Sequence, residues 1–218
     1  MANSIEVFQD LTLIGPVERK ADLKAALIAR AVSPWSIDFE QSAAVEKQAI
    51  TSDDVLLFRC EPSIDYPAIG LTLWGTDVGY YVPNIVPMEM GSLTYRQYNA
   101  ALTKFIEYIV EPVASQFGFA IGKTNSSQTL EDWVALDTAL KLRRFSLAAN
   151  KSTGASHPMD QRRWFDFLIA AHREQGTLDA SQLGRWLMEV EGWDEDIAHK
   201  LAGDFENGLA LLSHYDTN

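Results

Sequence analysis

The apolar residues of this chain change their period once, near Thr129, and that change divides what the two parts can become. Before it, strand-like and helix-like stretches alternate; after it only the helical period remains. Strand side chains point alternately to opposite faces, whereas helical neighbours recur every three or four residues, so neither pattern can serve as the other. The expected fold class is α+β: an N-terminal mixed β-sheet with helices over residues 1–125, followed by an all-helical half over 126–218. No Gly/Ser/Pro linker lies between them, so the two halves are expected to pack as one compact unit.

Ile5, Val7, Leu11 and Leu13 alternate with more polar neighbours up to Gly15-Pro16 and predict a strand. Glu18 to Val32 suits a helix with Leu23, Leu27 and Ala31 on one face, ended by Pro34. Trp35 to Glu40 alternates as a short strand, and the apolar run Val55–Phe58 reads as a central strand buried on both faces. Ile69–Leu73 and Val78–Val82 flank Gly75-Thr76-Asp77, a hairpin with a three-residue loop; Pro83, Pro87 and Gly91 then break the pattern. Tyr98, Leu102, Phe105, Ile109 and Val113 make one side of a long helix, which Pro112 should kink or interrupt. Phe117 to Ile121 returns as a strand.

In the second half, Thr129 and Asp132 form a capping-box pattern ahead of Trp133, Leu136 and Leu140. Pro158 suits the first position of a helix with Trp164, Leu168 and Ala171 on its apolar face. Asp179 and Gln182 cap the next, which carries Leu183, Trp186, Leu187 and Val190 and stops at Gly192. Asp194 starts the last, with Ile197, Leu201, Phe205, Leu209 and Leu212 in register. Trp35, Trp133, Trp164 and Trp186 read as core, and Trp193 as a staple at a helix entry.

The net charge is −12, which argues against a nucleic-acid binder acting through its whole surface. The charge is also uneven. Residues 1–91 carry 13 acidic and 6 basic side chains, residues 92–178 carry 8 and 10, and residues 179–218 carry 9 and 2. Inside the middle stretch lies a basic island of Lys141, Arg143, Arg144, Lys151, Arg162 and Arg163, with Asp160 the one acid among them. No apolar run approaches the roughly 18 residues of a membrane helix. Met1–Val7 lacks the basic-then-apolar order of a secretory signal, and Cys60 is the one cysteine, so a cytoplasmic protein without a disulfide framework is expected.

Gly118 to Thr124 resembles a phosphate loop but has three residues where that loop needs four before the Gly-Lys pair, so it reads as a connecting segment. The segment 150–163 is more unusual: a small-residue loop ahead of the Pro158 helix, within the basic island. Backbone N–H groups at a helix start favour an anion, and Lys151, Ser152, Thr153, His157, Arg162 and Arg163 are the anion-binding candidates. His157 has the chemistry of a general acid or base, and Ser152 or Ser156 that of a nucleophile, but no spacing assembles a triad, so no catalytic residue is assigned. The competing reading is a capped interhelical loop whose arginines pair with acidic neighbours. His157, His172, His199 and His214 show no metal spacing, and neither metal nor cofactor is expected. Glu189, Glu191, Asp194, Glu195 and Asp196 either favour a helix dipole or form a docking face for a basic partner.

Leu142–Phe167 and Trp186–Glu206 resemble segments of uncharacterised bacterial proteins, a resemblance that carries no activity with it. In size and acidity the chain is also similar to the immunity proteins and antitoxins that block bacterial toxins. That similarity implies an acidic intracellular binding protein that neutralises a basic protein partner such as a toxin. The alternative is an enzyme or sensor for a phosphorylated or otherwise anionic small molecule, built on 150–163. Oligomeric state is not legible.

Overall fold

The computed structural model describes residues 4–48, 54–153 and 157–217. Along the chain come β1 (Ile5–Glu6), β2 (Leu11–Ile14), α1 (Lys20–Arg30), β3 (Trp35–Ile37), α2 (Phe39–Gln48), β4 (Val55–Cys60), β5 (Ile69–Thr76) and β6 (Gly79–Pro87). Then follow α3 (Tyr95–Phe105), α4 (Glu111–Ala114), β7 (Ala120–Lys123), β8 (Ser127–Gln128), α5 (Leu136–Ala148), α6 (Pro158–Glu174), α7 (Ala180–Glu189) and α8 (Glu195–Asp216). β1 pairs with β8, and the other strands form one sheet in the order β3-β4-β5-β6-β2-β7. The architecture is α+β. The chain divides into two units, Glu6–Ser126 and the remainder.

In the first unit every ladder of the six-stranded sheet is antiparallel. Its inner face presents Leu11, Leu13, Phe58, Leu71, Leu73 and Tyr80 to Leu23 and Leu27 of α1 and to Tyr98, Leu102 and Phe105 of α3. The Phe105 ring meets Phe58 edge-on at 4.9 Å and Trp35 at 5.3 Å. Burial of these large side chains is the main stabilising contribution here. The Val55–Phe58 run is an interior strand, yet β3 covers only its Phe58–Cys60 end. The exposed upper edge is closed by side chains of α2: Val55 N–H donates to Glu46 Oε1 at 3.0 Å, and Leu57 N–H to Ser42 Oγ at 2.9 Å. An edge that would otherwise present free donors is thereby blunted.

The hairpin departs from the expected loop. Thr76 pairs with Gly79, so the connection is the two residues Asp77-Val78. Gly79 has φ +156°, and a Cβ there would lie 1.8 Å from the Leu13 carbonyl oxygen of β2. The close approach of β2 demands glycine at that point and shifts the turn by two residues. Nor does Pro83 end β6. The register with β5 slips between Thr72 and Trp74, and the ladder with β2 covers only Gly79–Tyr81. Pro83 therefore sits at an irregularity where no partner needs its missing N–H.

Pro112 has the effect expected of it. Between α3 and α4 the helix widens into a π-helical turn over Ile106–Val110. Proline cannot donate to the carbonyl four residues earlier, that of Tyr108. The Arg30 guanidinium fills the vacancy, donating to Tyr108 O at 3.0 and 3.3 Å.

The helical unit begins with the Thr129–Asp132 capping box, which closes a single 3₁₀ turn instead of a long helix. α5 starts later and shows a different face from the one the spacing suggests. Leu136 and Leu140 are exposed, while Ala139, Leu142, Phe145 and Ser146 are buried. The polar spacing residues Thr138 and Ser146 lie inward, so the apolar count alone picked the wrong stripe. Pro158 is the first residue of α6, and Trp164, Leu168 and Ala171 are buried, as the spacing predicts. The Asp179–Gln182 capping box starts α7, and Gly192 at φ +72° ends the connection to α8. Phe167 stacks on Phe205 at 5.6 Å, and Trp133 meets Trp186 edge-on at 6.1 Å. Among the described residues no helix is long and apolar enough to cross a membrane.

Candidate functional site

Among the described residues the cations of the basic island are spread over separate partners. Lys141 pairs with Asp137 one turn back, and Arg143 makes a two-pronged pair with Glu131. The Arg143 side chain holds the Glu131 carboxyl below its ordinary pKa by hydrogen bonding, against a smaller opposing effect of burial. Lys151 Nζ donates to the backbone carbonyl of Glu191, just past the end of α7. Arg163 bonds the buried carboxylate of Asp160 at 2.7 Å. Arg162 is exposed and Arg144 likewise, with no ion-pair partner among the described residues.

The loop itself is held by local bonds. Ser152 N–H and Oγ both reach Asn150 Oδ1, at 3.0 and 2.8 Å. His157 is the residue before α6, and its Nδ1 accepts from Met159 N–H at 3.1 Å, an N-cap. Thr153 lines the groove described below. Ser156, the other candidate nucleophile, lies outside the described residues. Around this loop, among the described residues, the structure brings Lys151 to Glu191 and Arg163 to Asp160, and gathers no two cations on one open point.

Beneath it runs a buried polar relay. Trp193 stacks on Phe145 at 5.3 Å, so it is a core ring beyond a simple staple. Its indole N–H donates to Ser146 Oγ at 2.8 Å, and Ser146, wholly buried, donates to Glu191 Oε2 at 2.8 Å. Glu191 is thereby fixed from two sides, by Ser146 on its carboxylate and Lys151 on its carbonyl. Glu189 is held by Arg185 at 2.8 Å, one turn earlier. Of the acidic candidates these two are engaged inside the unit. Among the described residues Glu195 reaches His199, at 3.8 Å on its own helix. Asp194 stands at the N-cap of α8 without a side-chain cap bond, and Asp196 is exposed.

The phosphate-loop resemblance dissolves into sheet structure. Residues 120–123 are the edge strand β7, with Gly122 opposite Thr12, where a Cβ would lie 2.5 Å from the Thr12 hydroxyl oxygen. Lys123 Nζ donates to Thr103 Oγ1 at 3.0 Å. Cys60 is buried 3.9 Å from the Tyr66 hydroxyl, and burial pushes its thiol pKa up, which disfavours a reactive thiolate.

A further concave surface takes in one of the sequence candidates, Thr153. It is a groove of about 600 Å³ between α6 and α8. Gln161, Trp164, Phe165, Leu168 and Ile169 form one wall; Ile197, Lys200, Leu201, Asp204, Leu211 and Leu212 form the other, with Gly208 below. A Cβ at Gly208 would lie 2.8 Å from Leu168 Cδ1, so a larger residue there would have to displace the Leu168 side chain. A signal for the groove exists in the sequence. α6 carries Phe165 and Ile169 beside the core row Trp164, Leu168 and Ala171, a wider apolar stripe than one neighbouring helix can cover.

No protein family, curated protein or solved structure matches this chain.

Proposed function

We propose that this is an acidic binding protein whose α8 surface takes a basic protein partner, in the manner of an immunity protein or antitoxin. The observation that supports this most is the set of carboxylates left open along α8. Asp194, Asp196, Asp204 and Glu206 are exposed and have no ion-pair partner among the described residues. From Glu195 to Asp216 the helix carries five acids against one lysine, Lys200.

Carboxylates held at spaced positions on a rigid helix create a persistent negative field. Such a field speeds encounter with a cationic surface and makes the association fall off with salt. Four of the six island cations are tied to internal acceptors, which leaves the acidic helix as the larger uncompensated charge. The compartment expected for such a partner is the cytoplasm.

The test is affinity capture from cells that make the protein, with the native chain and a variant neutralised at Asp194→Asn, Asp196→Asn, Asp204→Asn and Glu206→Gln. The expected result is one stoichiometric partner of high isoelectric point, lost with the variant and weakened as salt rises from about 50 to 200 mM and screens the paired charges. No stoichiometric partner, or one held equally by the variant and insensitive to salt, would overturn the reading.

A further inference from the structure

We draw no further inference here: the strongest candidate, the apolar groove between α6 and α8, is lined by one acid, Asp204, against one lysine, Lys200, and nothing in the structure shows what covers it.

Discussion

Replacing Ser146 by alanine should destabilise the helical unit well beyond the loss of one hydroxyl. Ser146 is wholly buried and stands between two polar partners, donating to Glu191 Oε2 and accepting from the Trp193 indole, both at 2.8 Å. Alanine fills nearly the same volume, so the cost is that of orphaned groups and not of a cavity. A bond to a charged acceptor contributes about 1.5–3 kcal/mol and a neutral bond about 1 kcal/mol. Glu191 is half-buried and can recover part of its loss from water, while the Trp193 N–H cannot. The expected loss is therefore about 2–3 kcal/mol, a fall in Tm of about 5–10 °C for a chain of this length. Urea unfolding followed by near-ultraviolet circular dichroism measures it, with an unchanged slope showing that the unfolded state is not altered. Adding Trp193→Phe to Ser146→Ala should cost less than the sum of the two single losses, because the second change removes an orphan the first creates. A loss under about 0.5 kcal/mol for Ser146→Ala, or strict additivity of the pair, would refute the relay.

Other consequences are as direct. Gly79→Ala should cost about 3 kcal/mol or prevent folding, because the added methyl meets the Leu13 carbonyl; chemical denaturation and recovery of soluble protein read it out. Asp179→Ala should cost about 1 kcal/mol by opening the α7 capping box, measured in the same way, with Asp179→Ser recovering most of it. Stability should also decline in acid through Asp54. Burial pushes its carboxyl up, but the Lys24 hydrogen bond and charge, with the Lys20 charge and the Tyr80 hydroxyl, outweigh this and leave the pKa below the ordinary 3.8. A group depressed in the folded state contributes stability that is complete above its unfolded pKa and is lost as pH falls through the folded one. The urea midpoint should therefore drop as pH goes below about 4, and Asp54→Asn should flatten that drop; an identical acid profile in the variant would contradict the assignment.

How far the sequence reveals the fold depends on whether a residue's role is local. Pro112, Pro158, Asp179 and Gly192 punctuate helices through their own backbone chemistry, and each acts where its type predicts. Gly79 and Pro83 depend on how β2 and β5 lie beside β6, which no local pattern records, and there the expected turn and strand end were displaced. Leu136 and Leu140 misled for a related reason: α5 turns its small polar residues inward because Ser146 has partners 45 and 47 residues away. The candidate site shows the same division. The basic island is plain in the sequence, but the engagement of Lys151 with the Glu191 carbonyl is a tertiary fact. The groove needed two helices to be placed side by side before Phe165 and Leu211 became neighbours of one surface.

The central proposal is that a basic protein partner meets this molecule on the open carboxylates of α8. Backbone hydrogen exchange of the full-length protein, measured with and without the captured partner, tests this most directly. The account predicts added protection on α8, disappearing at high salt and in the variant neutralised at Asp194, Asp196, Asp204 and Glu206. Protection appearing instead on the sheet, or at the 150–153 and 157–163 segments alone, would contradict it.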